Sequence, residues 1–188
     1  MSRIPYPNEE LLPDDARELL DSLPPLNIVR MVANAPAALR PLTDLGQAIL
    51  LHGELDPRLR QIAILCVARV TRSGYEQAQH ENVSRLVGLE QSEIDAATSG
   101  RLDALAPHEQ LVGRFAEQIA RDVRAEEETT AQVLRLLGQR QTVELVVACA
   151  YYCLVARVIE TCGVELEDVL PTADIDPDEW LEGPAPAR

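Results

Sequence analysis

The sequence predicts an all-α fold. Apolar residues recur at spacings of three and four along most of its 188 residues, and Asp-Pro start signals alternate with Gly stops. The longest such segment, QTVELVVACAYYCLVARVIETC at 141–162, is apolar over so much of its surface that it reads as a core or subunit-interface helix.

The elements follow in order. PDDARELLDS at 13–22 places Pro and Asp ahead of Leu19 and Leu20, a short amphipathic helix that Leu23-Pro24-Pro25 ends. Asn27 can cap a short helix over 28–34. Pro36 suits a first helical turn, and Leu39, Leu42, Leu45, Ile49 and Leu50 make 36–51 a core-facing helix closed by Gly53. Asp56-Pro57 repeats the start signal for 57–71, apolar nearly all round and therefore expected at the centre. The next helix runs from Gly74 through Val83 and Leu86 to a stop at Gly88. Ser92 can cap a short helix to Ala97 before Gly100. Residues 107–124 put Leu111, Val112, Phe115, Ile119 and Val123 on one stripe, and 129–138 forms a shorter helix ending at Gly138. The 141–162 helix stops at Gly163.

One domain over 1–170 is expected, followed by an acidic tail over 171–188 in which Pro171, Pro177, Pro184 and Pro186 oppose regular structure. Trp180 offers that tail an anchor. An internal echo links Arg60-Gln61 and the residues after them with Arg140-Gln141 and theirs. It is either a duplicated helical hairpin or two buried helices of similar composition.

The formal net charge is −14, and every basic residue is Arg. That balance argues against nucleic acid or anionic membranes as partners, because both bind through basic surfaces. MSRIPYPNEELLPDD has no apolar h-region, and the run at 145–156 is shorter than a membrane span, so a cytoplasmic protein is expected. Cys66, Cys149, Cys153 and Cys162 show no C-x-x-C and read as reduced, buried thiols. No metal site is expected: His52 and His108 stand near helix ends, and Glu76 with His80 supplies only two ligands.

RSGYEQAQHENV at 72–83 carries the chemistry. On a helix beginning near Gly74, Glu76 and His80 stack one turn apart, so the carboxylate can orient the imidazole and favour its protonated form. Such a pair moves protons near neutral pH. Tyr75 and Gln79 form the adjacent face, and Arg69, Arg72 and Arg85 are close enough in sequence to clamp an anionic substrate. The spacing also fits a capping box, S-x-x-E, in which Ser73 and Glu76 bond each other's backbone amides. By spacing alone, the cap leads.

LDPRLRQIAILCVARVTRSGYEQAQHENVSRLVGLEQSEIDA at 55–96, the most specific part, and YYCLVARVIETCGVELE at 151–167 resemble the carboxymuconolactone decarboxylase family and the related alkylhydroperoxidase D proteins. The resemblance implies an all-α helical bundle built on a central hairpin and assembled into homodimers, trimers or hexamers. In the peroxidase branch the hairpin carries C-x-x-C-x-x-x-H with an upstream Glu. Here Ser73 and Glu76 stand at the Cys positions, His80 keeps the His, and Gln61 stands at the Glu.

The resemblance thus implies a cofactor-independent enzyme acting on a small anionic molecule by proton transfer, decarboxylation or isomerisation. Glu76 and His80 would be catalytic, with Tyr75, Arg72, Arg69, Gln61 and Ser73 binding substrate, and Arg85 or Arg157 as further clamp candidates. A non-catalytic homo-oligomeric binding protein of the same fold is the alternative. Thiol peroxidase activity is the least supported reading, since both motif thiols are replaced.

Overall fold

A computed structural model describes residues 2–168. Their helices are α1 (Asp14–Ser22), α2 (Asn27–Val32), α3 (Pro36–Leu51), α4 (Pro57–Thr71), α5 (Gly74–Leu86), α6 (Gln91–Ser99), α7 (Pro107–Asp122) and α8 (Glu127–Cys162). Single 3₁₀ turns lie at Glu9–Leu11 and Leu102–Ala104, and no strand occurs among the described residues.

α4 is the centre. Asp56 caps it by accepting from the Arg58 and Leu59 amides at 2.8 and 3.2 Å, with Pro57 in the first turn. Residues 59–68 are all buried, and α5, α6, α7 and α8 pack around them. Each fully buried side chain of the Leu65 or Phe115 kind contributes about 1.5–3 kcal/mol. Arg72 ends α4 in the left-handed conformation, φ 60°, and the chain reverses into α5 to complete the hairpin.

Two apolar clusters result. One gathers α4, α6, α7 and α8 around Leu65, Phe115 and Leu145. The other packs α1–α3 onto Tyr75 of α5 and Val155 and Ile159 of α8. Tyr151 touches both, and its hydroxyl donates to the Leu42 carbonyl at 3.1 Å. A Cβ at position 46 would stand 2.6 Å from that oxygen, so only Gly46 admits it.

Several boundaries differ from the periodicity. Asn27 is the first residue of α2 and not its cap; its side chain bonds the Glu165 carbonyl instead. α6 is capped by Glu90, whose backbone amide donates to Glu93 at 2.7 Å, and Ser92 lies inside the helix. Val123 leaves the α7 stripe: it is 88% exposed in a left-handed turn. The two segments expected over 129–138 and 141–162 are indeed two helices, which meet in a kink at the non-helical Gly138 and are numbered together as α8. By length and composition α8 is apolar enough to cross a membrane, yet half of that window is buried within the bundle. It is a core helix. The tail read over 171–188, with Pro171, Pro177, Pro184, Pro186 and Trp180, lies outside the described residues.

Gly138 has φ 72° and ψ 173°, a region that side chains disfavour, while nothing lies within 4 Å of a Cβ built there. Gly138→Ala should therefore lower stability by about 1–3 kcal/mol through the backbone alone. Urea unfolding measures it, and an unchanged midpoint would mean that the break relaxes into continuous helix.

Candidate functional site

The α4–α5 hairpin carries an unusual density of polar side chains into the core. Arg60, Gln61, Ser73, Glu76 and His80 are 4, 0, 1, 2 and 7% exposed. They come together for a local reason. α4 is enclosed on every side, so Arg60 and Gln61 cannot reach water without leaving the helix, and α5 presents positions 76 and 80 inward.

His80 is held by two neighbours. Its Nδ1 lies 2.8 Å from the Gln61 Oε1, and its ring meets Tyr152 of α8 edge-on, with centroids 4.7 Å apart and planes at 87°. An amide oxygen only accepts, so Nδ1 carries the proton and Nε2 keeps a free lone pair. Burial, reinforced by the Arg60 charge, lowers the His80 pKa to about 3. The imidazole is a neutral base at neutral pH.

Glu76 is shifted the opposite way. Burial, with the charge of Glu160 added, holds its carboxyl well above the usual range, a shift that favours the protonated form. Neither carboxyl oxygen has a hydrogen-bond partner among the described residues, nor do Ser73 Oγ, Gln61 Nε2 and Arg60 Nε. Buried orphan polar atoms are rare in folded proteins, and four residues of one hairpin carry five of them here. Arg60 makes one side-chain bond, from Nη1 to the Leu55 carbonyl at 3.3 Å.

Two sequence expectations change. The capping box is not formed: Ser73 stands at the N-cap position of α5 without a side-chain cap bond, and the Glu76 carboxyl faces the core. Nor do the shifts favour a carboxylate with an imidazolium: desolvation is the largest cause on both, raising Glu76 and lowering His80.

The arginines sort differently as well. Arg69 is paired with Glu117 of α7. Arg72 is exposed at the end of α4, and Arg85 is engaged by Asn82 and Gln91 on the surface. Arg157 is exposed and donates to the Cys153 carbonyl. The cation beside His80 is Arg60, which sequence reasoning passed over because it shares its Arg-Gln pair with the echo at 140–141. Those matching letters have different surroundings: the Arg140 side chain is 65% exposed, in pairs with Glu54 and Glu144. Tyr75 of the adjacent α5 face is buried, but its hydroxyl bonds Glu167. Tyr152 was also missed, having no signal apart from its place in an apolar run.

The three buried thiols are poor nucleophiles in these surroundings. Burial pushes Cys66 up to about 12 and raises Cys149 and Cys153 as well. All four cysteines are unpaired, and among the described residues no group of three His, Cys, Asp or Glu could hold a metal ion.

The fold is all-α and alkylhydroperoxidase D-like. The chain superposes with a TM-score of 0.77 on an uncharacterized peroxidase-related protein with an alkylhydroperoxidase D core from Ralstonia eutropha, at 19% identity over 89% of this chain and 93% of that one. An uncharacterized peroxidase-related protein from a Silicibacter species gives 0.75 at 18% identity, over 89% and 92%. Residues 36–118, from α3 into α7, match the sequence model of the carboxymuconolactone decarboxylase family. No curated protein matches the chain.

The opposed shifts give opposite linkages. The folded pKa of Glu76 lies above its ordinary 4.5, so its contribution is fully present below that value and is lost as pH rises toward the folded pKa. The folded pKa of His80 lies below 6.5, so stability falls as pH drops from about 6.5 toward 3. Glu76→Gln removes the first effect. It should be more stable than the parent at pH 8, with the advantage shrinking toward pH 4.5, in urea unfolding across that range. Parallel stability curves would show that Glu76 ionises freely in the folded protein.

Proposed function

We propose that this protein is a cofactor-independent enzyme that acts on a small carboxylate-bearing organic molecule by proton transfer, decarboxylation or isomerisation. What supports this reading is the pair of opposed shifts on one face of α5: a Glu76 carboxyl whose surroundings favour its proton, one turn from a His80 imidazole whose surroundings disfavour one. Titratable groups whose surroundings push them apart are how acid and base roles divide at neutral pH.

His80 Nε2 is the base, oriented by Gln61 through Nδ1. Glu76 is the acid. Arg60 takes the clamp role in place of Arg69 and Arg72, and supplies charge to the substrate carboxylate and to the electron-rich intermediate. In a decarboxylation the bonding pair stays on the substrate carbon as carbon dioxide leaves, and Glu76 delivers a proton to that carbon. The carboxylate so formed is poorly solvated and regains its proton from water. In an isomerisation His80 removes a proton that Glu76 replaces elsewhere. Gln61, an amide, orients without relaying. Ser73 Oγ and Gln61 Nε2 remain as donors for the bound molecule.

The thiol peroxidase reading loses support, because a buried thiol held above its ordinary pKa yields little of the thiolate that attacks peroxide. A homo-oligomer is favoured by the apolar surface of α8, where Val143, Val146, Val147 and Leu154 are exposed. Four unpaired thiols suit a reducing cytoplasm.

A screen of lactone acids, keto acids and hydroperoxides against the purified protein tests the reading. Turnover of an organic acid is expected, falling by about 10²–10⁴-fold in His80→Ala. Arg60→Lys should raise KM more than it lowers kcat, since it keeps the charge and loses the fork. A folded His80→Ala protein working at the parental rate would remove the assignment.

For the assembly, Val143→Asp should reduce the mass seen by light scattering while leaving helix content unchanged. An unaltered mass would move the interface elsewhere.

A further inference from the structure

Beside the acid–base face, α5 presents a second pair of buried polar side chains, Tyr75 and Gln79, 6 and 8% exposed. Unlike Glu76, they are fully occupied. The Glu167 carboxylate, from the segment that follows α8, accepts from the Tyr75 hydroxyl at 2.6 Å and the Asn27 backbone amide at 2.5 Å through Oε1. Its Oε2 accepts from Gln79 Nε2 at 2.6 Å. The Ile28 amide donates to the Tyr75 oxygen at 3.4 Å, which turns the phenolic proton toward Glu167. The Asn27 side chain holds the Glu165 carbonyl at 3.0 Å, so the same segment is tied twice.

Three donors thus converge on the two oxygens of one carboxylate, and all three are uncharged. That geometry recognises a planar monoanion: each oxygen finds a donor, and none of the three donors carries a charge to offset a second negative one. The occupant is supplied by the chain itself. A tethered ligand competes with a free one at an effective concentration in about the millimolar range.

We propose that Tyr75, Gln79 and the Asn27 amide form a seat for the carboxylate of a small organic acid, which Glu167 occupies as a built-in competitor. Release of residues 164–168 opens the seat, and its occupation by Glu167 shuts it. This seat lies on the two turns of α5 that carry Glu76 and His80, about 100° round the helix. The proposal does not rest on the reading of those two residues as catalytic, because it is tested by binding without turnover.

The test uses the full chain with Glu167→Ala and sodium acetate as the probe, since acetate restores the two carbons removed. A tyrosine near-UV difference spectrum should change saturably with acetate in Glu167→Ala, with apparent affinity at least about tenfold above the parent's. Phosphate, and chloride at matched ionic strength, should not reproduce it. Adding Tyr75→Phe should abolish the response. Gln79→Met in the Glu167→Ala background gives a second check, read through acetate-dependent thermal stability, should the Tyr75 variant fail to fold. Equal acetate responses in parent and Glu167→Ala, or a response matched by chloride, would overturn the proposal and leave Glu167 a structural tether.

Discussion

α4 has no face to give to water. Leu59, Ile62, Ala63, Cys66 and Val67 would by themselves make an ordinary buried stripe, but Ile64, Leu65 and Ala68 lie on the remaining surface and are buried too. A helix of that kind is stable only when neighbours enclose it, and α5, α6, α7 and α8 do so. Arg60 and Gln61 on α4, and Glu76 and His80 facing it, are thereby desolvated. The chemistry of the hairpin follows from that enclosure more than from any single contact.

Enclosure explains why the hairpin holds neutral groups and not an ion pair. In water, a glutamate one turn before a histidine favours imidazolium. Here both would have to be charged in surroundings that solvate neither, and the cheaper state is a carboxyl and a free base. Arg60 keeps its charge, because guanidinium is the hardest of the three to neutralise, although burial lowers its pKa. The result is a base, an acid and a fixed cation in one desolvated place, in the region that matches the carboxymuconolactone decarboxylase family.

Helix positions were legible because they depend on local signals. Asp56-Pro57 and the Gly138 break read directly as start and stop. The misread points are those where tertiary burial overrules a local motif. Ser73 and Glu76 have capping-box spacing, yet the enclosing α8 draws the carboxyl inward and the box stays open. Arg60 and Arg140 head the same letters, and only packing separates a buried cation from a surface one. The all-α class was visible; which arginine attends His80 was not.

Two glutamates mark the contrast between adjacent faces of α5. Glu167 reaches three donors, whereas Glu76 reaches none and its carboxyl is held well above the usual range. The same residue type meets opposite surroundings within two turns of one helix. Tyr75 and Gln79 favour a carboxylate, while the surroundings of Glu76 reject one unless Arg60 accompanies it. On the proposed reading, a small organic acid approaching α5 would meet an anion-accepting face next to a proton-transferring one.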